Sequence, residues 1–502
     1  MLFNIIFCLV NIYITYIQKG IKLFAGLFNV TCITHSIQTF IIIICILILK
    51  LTGFYPRKII KKYYRGIKDI LKKRKEYVKI INKMLELFSI IEYALIVTFV
   101  ITGAILLLSS GDLGSMYLCI ELQSFSLYII SAIHRNSESS TGSALMYFLL
   151  GGLSSCFILL GIALIYANAG IINTDSIYCL VSSSEIHLDK LVWYNNRYIF
   201  YSLLFISVGF LFKIAAAPFH WWSPDVYDGV PTIVTTFIAI LGKISILIIL
   251  MELVEYTTVF LWKVQTYSWI TSLSLSCFFS LLIGTILGVA QTRIKKLLAY
   301  STISHIGFIL LALIVHNTES YQAFLFYIFQ YILTNLSAFL ILIAIGFSLY
   351  LFFSNISEIN NLPEKNNSPI QLISQLNGYF SINPFLATSL AITMLSFLGL
   401  PPLSGFFGKQ MVLTVALDNK KMFLVIFAIL TSVISAVYYL TIIKVLYFDK
   451  THYDKFFIYN KLSISSYLSI IISILTLAIL FFILLPVEPI NLCNILSLIY
   501  YA

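Results

Sequence analysis

Residues 205–254 read FISVGFLFKIAAAPFHWWSPDVYDGVPTIVTTFIAILGKISILIILMELV. Two apolar runs flank a short polar turn, and each run carries a lysine in its interior, Lys213 and Lys243. Lys243 is the thirteenth residue of the run that starts at Pro231. At a rise of about 1.5 Å per residue it sits near the middle of a membrane-spanning helix. The ordinary account of a lysine in a span is that it lies near one end and snorkels to the headgroups. That account suits Lys50, Lys263 and Lys444, but not Lys243. Pro218 removes a backbone donor and frees carbonyls that lipid cannot satisfy, so the first run is a broken helix, tolerated where it lines a hydrated cavity.

The rest of the chain has the same character. Of its 502 residues 60% are hydrophobic and 11% charged, against roughly 45–50% and 25% in soluble domains. Mean hydropathy is +0.96. A soluble core could not hide so much apolar surface, which excludes a soluble multidomain enzyme, a disordered tail protein and a fibrous repeat. Clear span candidates run over 37–54, 91–110, 115–133, 143–168, 199–219, 231–254, 267–290, 297–315, 321–352, 384–416, 421–447 and 462–486, with 2–16 and 21–34 weaker. The predicted fold is an all-α polytopic membrane protein of about 12–14 transmembrane helices. The apolar segment from Met1 to Tyr16 lacks a basic start and a small-residue cleavage site, and reads as a membrane helix.

The net charge of +11 is local. Between Arg57 and Lys83 there are twelve basic residues and two acids, Asp69 and Glu76. Lysine and arginine are retained on the negative side of a bilayer, so the loop 55–88 is predicted there, and alternation puts Arg135, Arg293-Ile294-Lys295-Lys296 and the segment from Lys450 to Lys461 on the same side. A nucleic-acid partner is not needed to explain the charge. The eight cysteines are scattered, with no C-x-x-C and no Cys/His cluster at metal-ligand spacing, so most read as small buried hydrophobes. The abundance of Ile, Phe, Tyr, Asn and Lys suits an AT-rich organelle gene.

Ionisable residues inside a membrane call for an explanation. Glu121, in SMYLCIELQSFSLYII, has apolar turns on both sides and a side chain too short to reach out. Lys213, Lys243 and Lys409 join it, with His220 and His305 as further candidates. A structural Glu–Lys pair or a hydrogen-bonded interior histidine is the plainer alternative. The functional one is a proton relay, in which a proton moving onto one lysine changes the field at its neighbour, through polar links such as Ser124, Ser223, Thr235, Ser304 and water. No G-x-G-x-x-G, P-loop or nucleophile–base pair is present. A second broken run, LGLPPLSGFF, carries Pro401-Pro402 and lies beside Lys409 as Pro218 lies beside Lys213. Paired broken helices in two halves are the sign of an inverted repeat. The predicted divisions are 1–90 (N-terminal helices and basic loop), 91–254 and 267–447 (two inverted five-helix repeats) and 448–502 (a C-terminal helix and tail).

These residues also resemble a known family. LFKIAAAPFHWWSPDVYDGVPTIVTTFIAILGKIS resembles the signature of the antiporter-like subunits of respiratory complex I, and RIKKLLAYSTISHIGFILLAL, LSFLGLPPLSGFFGKQMVL and YLCIELQSFSLYIISA are similar to three further blocks. The likeness covers about residues 91–450 and, through PDVYDGVPT followed by VTTFIAILGK, looks like the subunit 2 branch (subunit N of bacteria). The resemblance implies that Glu121 and Lys213 form a charge pair whose separation is coupled to quinone reduction elsewhere in the complex, that Lys243 is the central relay and that Lys409 faces the exit. Within SALMYFLLGG, Met146 stands where bacterial relatives carry a lysine.

The resemblance further implies a proton-translocating, non-redox subunit of NADH:ubiquinone oxidoreductase in the mitochondrial inner membrane, with loop 55–88 on the matrix side. The complex would use NADH, FMN, iron–sulfur clusters and ubiquinone, none of them bound by this chain. Its partners would be the neighbouring antiporter-like subunit, the small membrane subunits, accessory subunits and phospholipids. A cation/proton antiporter subunit of the related family, or a structural subunit that no longer pumps, are the rival readings.

Overall fold

The computed structural model describes residues 20–52, 92–133, 137–183, 196–258, 269–353, 370–450 and 466–501. A β-hairpin comes first, Ile21–Leu23 (β1) against Phe28–Val30 (β2). Sixteen described α-helices follow: α1 (Cys32–Thr52), α2 (Glu92–Leu108), α3 (Leu113–Ala132), α4 (Glu138–Ala169), α5 (Thr174–Ser183), α6 (Asn196–Ile214), α7 (Trp222–Gly229) and α8 (Thr232–Thr258), then α9 (Ile270–Val289), α10 (Ile294–Leu313), α11 (Thr318–Phe353), α12 (Pro384–Leu398), α13 (Ser404–Asp418), α14 (Met422–Tyr447), α15 (Ser466–Leu480) and α16 (Val487–Tyr501).

Among the described residues eight helices are long and apolar enough to cross a membrane. Three shorter apolar helices, α2, α6 and α12, stand beside them, and α15 with α16 makes an apolar pair bent by 87°, as a broken span or a re-entrant loop is. Each of the twelve clear spans read from the sequence overlaps at least one of these helices, so the chain is an all-α polytopic membrane protein. The weaker candidate 2–16 lies outside the described residues, as does the basic loop 55–88.

Two expectations need correcting. Residues 21–34 are not a span. Phe24, Ala25 and Gly26 take positive φ, with Gly26 at +93°, and turn the chain back on itself, and the hairpin is pinned when Asn29 N–H donates to Ser109 O (2.6 Å) and Gly111 N–H to Leu27 O (2.8 Å). The stretch between the spans read at 143–168 and 199–219 carries the short helix α5. The C-terminal tail is helical too: α16 turns away at Pro486, which cannot donate the backbone bond that would continue the preceding helix.

The order hairpin, long helix, broken helix, closing helix occurs twice: α2–α3, α4, α6/α7, α8, then α9–α10, α11, α12/α13, α14. Both hairpins close on a glycine. A Cβ on Gly103 would lie 2.8 Å from Gln123 N, and one on Gly284 would lie 2.7 Å from Ser304 N, so neither crossing admits a larger side chain. Small residues at crossings are how membrane helices approach closely. Nearly all of α8, α10 and α11 is enclosed, while α4 and α14 turn much of their apolar surface outward, as lipid-facing helices do. The enclosed helices are the ones that carry Lys243 and His305.

Candidate functional site

The two helix breaks set the geometry. At the end of α6, Ala215 takes a left-handed φ of +64°, which costs about 1 kcal/mol for a residue with a Cβ, and the chain leaves the helix. Trp222 Nε1–H then donates to Phe212 O at 2.8 Å, supplying a donor for a carbonyl at the broken end. At the end of α12, Gly399 is left-handed and its N–H bonds to Leu395 O and Ser396 O. The next exposed carbonyl, Leu398 O, accepts a bond from Lys409 Nζ at 2.7 Å. A lysine thus caps the negative end of a half-helix across the Pro401-Pro402 break.

Glu121 and Lys213 meet. Lys213 Nζ donates to Glu121 Oε1 at 3.2 Å, with side chains 6% and 12% exposed respectively. Lys213 also donates to Tyr128 Oη at 3.4 Å, and Ser124 Oγ donates to Glu121 Oε2 at 3.4 Å. Glu121, Ser124 and Tyr128 share one face of α3 at helical spacing. Tyr128 reaches the lysine because Gly151 on α4 leaves it room: a Cβ there would fall on its hydroxyl. Gly151→Ala is therefore expected to cost about 1–3 kcal/mol of overpacking. It would lower the thermal midpoint of the purified complex, with partial recovery on adding Tyr128→Phe, whereas Gly152→Ala, with nothing near its Cβ, leaves the midpoint unmoved.

Lys243 lies on the enclosed helix α8, 1% exposed. Its Nζ donates to Thr302 Oγ1 at 3.1 Å and sits 5.5 Å from the Tyr227 ring centre. Gln123 ties α3 to α8 on either side of it, donating to Leu241 O at 3.0 Å and accepting from Ser245 Oγ at 3.0 Å. One turn beyond Thr302 on α10, His305 bonds Tyr327 Oη through Nδ1 (2.8 Å) and Tyr439 Oη through Nε2 (3.2 Å). The Tyr327 ring stacks on Phe308, and Lys409 Nζ lies 5.4 Å from the centre of that same Phe308 ring. Lys243, Thr302, His305, Tyr327 and Lys409 thus follow one another from α8 to α13, bonded from Lys243 to Thr302 and from His305 to Tyr327, with one helix turn between Thr302 and His305 and the Phe308 ring between Tyr327 and Lys409.

His220 is different. It is buried, but its ring nitrogen Nδ1 bonds Pro218 O at 3.3 Å within its own turn and the ring stacks on Trp221. Among the described residues it is not brought to the four charges. Thr235 and Ser304 bond back to Thr232 O and Ser301 O of their own helices. Met146 faces outward from α4, 38% exposed, while its neighbour Tyr147 points inward onto Tyr128 and Trp222. Sequence reasoning missed Tyr128, Gln123, Thr302, Tyr327 and Tyr439. Tyr128 and Thr302 carry a signal, seven residues after Glu121 and three before His305; the others come from packing between distant helices. Among the described residues no three His, Cys, Asp or Glu side chains converge as a metal site requires.

A polytopic membrane protein whose broken helices enclose a row of buried charges is the class this fold and site define. Residues 110–435 match the family described as NADH:quinone oxidoreductase/Mrp antiporter, transmembrane, and the chain belongs to that family. It is 47% identical over 449 residues to NADH-ubiquinone oxidoreductase chain 2 of Rhizopus oryzae, covering 89% of this chain and 80% of the relative. It is 33% identical over 397 residues to NADH-quinone oxidoreductase subunit N of Paramagnetospirillum magneticum, covering 79% and 75%. The fold is similar to a chain in the structure of respiratory complex I from Thermus thermophilus with bound aureothin, at a TM-score of 0.68 and 23% identity over 97% of this chain and 92% of that one. The chain is an antiporter-like membrane subunit of the complex I type.

Proposed function

We propose that this chain is a proton-translocating, non-redox subunit of NADH:ubiquinone oxidoreductase in the mitochondrial inner membrane, moving protons along the axis from Glu121–Lys213 through Lys243 to Lys409. The observation that carries it is the enclosed Glu121–Lys213 pair, which Gln123 holds beside the helix of Lys243. A paired charge projects a weak field. Opened, the pair leaves an ammonium in a low-dielectric interior, where it repels a second ammonium strongly. The proton on Lys243 Nζ then has a path away, through the hydroxyl of Thr302 and the His305 imidazole, whose second nitrogen can release a proton as the first takes one up. Lys409 receives it at the mouth of the second break. Its hold on Leu398 O is worth more charged than neutral, so its protonation is tied to the closure of α12 on α13.

The two successions of elements, 91–254 and 267–447, are two inverted repeats in this reading, so each break opens to the opposite side. The N-terminal region 1–90, with its basic loop 55–88 on the matrix side, and the C-terminal helices 448–502 then flank the pumping core. The neighbouring antiporter-like subunit, small membrane and accessory subunits and phospholipids surround it. NADH, FMN, iron–sulfur clusters and ubiquinone belong to other subunits. His220 orients the first break instead of carrying protons.

Lys243→Met tests the reading. The expected result is an assembled complex whose proton-to-electron ratio in sealed vesicles is clearly below wild type. An unchanged ratio overturns the relay, and cation-driven proton exchange without NADH would make the chain an antiporter instead.

A further inference from the structure

The basic run at residues 293–296 reads in the sequence as a cluster that reports orientation. The structure divides it. Arg293 pairs with Asp228, and Lys296 Nζ bonds Asp225 Oδ1 at 2.8 Å, with the Asp225 side chain half exposed. Lys295 between them is 2% exposed and donates to Val230 O at 2.7 Å. It occupies the first turn of α10, where the helix dipole opposes a cation, so burial and position both make this a costly place for a lysine used only as an anchor.

Two independent observations give it a destination. Lys295 and Thr232 line a cavity of about 10 Å³, closed by apolar side chains of α11, which is room for one water. One turn of α7 before Val230 lies Tyr227, whose ring sits under Lys243 Nζ, and one turn before that lies Ser223. Both are fully buried, and among the described residues neither Tyr227 Oη nor Ser223 Oγ makes a hydrogen bond of ordinary geometry, although Tyr227 Oη faces the hydroxyls of Ser223 and Thr302. Buried hydroxyls are rarely left so without a water to bond them.

We infer that Lys295 is the proton-uptake residue on the side of the basic clusters, delivering to Lys243 along α7 without passing through the Glu121–Lys213 pair. A proton from bulk water binds the Lys295 amine. The ammonium passes one to water in the Thr232 cavity; that water passes one on through the Ser223 and Tyr227 hydroxyls, each giving up its proton as it gains another, and the chain ends on the neutral Lys243 amine. The net change is one proton moved and no bond to a heavy atom made or broken. The route rests on Lys243 being a relay, and it explains how the outward-facing Met146 is tolerated: no station is needed on α4.

The test compares Lys295→Arg and Lys295→Met in the assembled complex in sealed vesicles, with Lys243→Met in parallel. Arginine keeps the charge and a donor for Val230 O but does not release its proton. Both variants are expected to lower the proton-to-electron ratio to the same value, and Tyr227→Phe, which keeps the ring and loses only the hydroxyl, to lower it as well. Lys296→Met, which removes a surface pair, leaves the ratio at wild type. A wild-type ratio in Lys295→Arg shows that only the anchor matters and overturns the route. With Lys243→Met impaired, that result leaves the relay standing; a wild-type ratio in Lys243→Met itself removes the relay. Should Lys295→Met fail to assemble, Lys295→Arg and Tyr227→Phe decide, a wild-type ratio in either counting against the route.

Discussion

Glu121→Leu is expected to destabilise the membrane domain more than the double substitution Glu121→Leu with Lys213→Met. The pair is almost wholly enclosed, with Lys213 6% exposed, and the lysine also donates a long bond to Tyr128 at 3.4 Å. Removing the carboxylate alone leaves an ammonium in an apolar interior, which typically costs about 3–5 kcal/mol. Removing both partners replaces a charge pair by apolar groups of similar volume, a change that is often near neutral because neither charge has then to be desolvated. The measurement is the amount and thermal midpoint of the assembled complex on native electrophoresis. The single variant should be scarce and the double close to wild type in abundance, yet defective in pumping, since the charge separation that drives Lys243 is gone. If the two single variants are mild and their effects add in the double, the side chains are not coupled and the pair cannot act as a switch.

The contrast between pair and relay shows what was legible in the sequence. Glu121, Lys213, Lys243 and Lys409 stood out because charge in an apolar run is costly wherever the chain folds, so each announces itself without a partner. The breaks announced themselves through proline. What could not be read was which polar groups meet. Tyr327 and Tyr439 reach His305 from helices 22 and 134 residues away, and nothing in their own apolar surroundings marks them. His220 looked as favourable as His305, but its bond is to its own turn, a local matter of how the chain leaves Pro218. Lys295 was read only as part of a basic cluster that reports orientation. All three bases of the run meet α7 or the residue that follows it, and only burial distinguishes Lys295, 2% exposed, from Lys296 beside it.

The fold was legible in the same uneven way. Helix length and apolarity gave the twelve clear spans, whereas the hairpin at 21–30 is too short and too rich in aliphatic residues to be told from a weak span by composition. Its structure depends on partners in the α2–α3 turn, at Ser109 and Gly111, which lie far along the chain. Contacts of that kind also decide how close the helices come, and there glycine is the limiting residue.

Gly209→Leu is expected to abolish assembly. The helices α4 and α6 cross with reciprocal contacts: a Cβ on Gly209 would fall on Ile158 Cγ1 and lie 2.8 Å from Ser154 O, while a Cβ on Gly161 would lie 2.5 Å from Ile206 Cγ1 and 2.7 Å from Ser202 O. Each glycine therefore receives the isoleucine of the other helix, and backbone carbonyls close the gap, so no rotamer change makes space. In a membrane there is no hydrophobic force to press two helices together once their backbones are held apart, because lipid covers the exposed surface equally well. The consequence reaches the site, since Lys213 lies one turn beyond Gly209 on α6 and Gly151, which seats Tyr128, lies on α4. Gly209→Ala is the graded test: about 1–3 kcal/mol of overpacking should lower the thermal midpoint of the complex, and Ile158→Ala in the same chain should recover part of it by removing the nearer clash. Gly209→Leu assembling at wild-type abundance would mean that α4 and α6 do not cross here, and that the room given to the Glu121–Lys213–Tyr128 cluster comes from elsewhere.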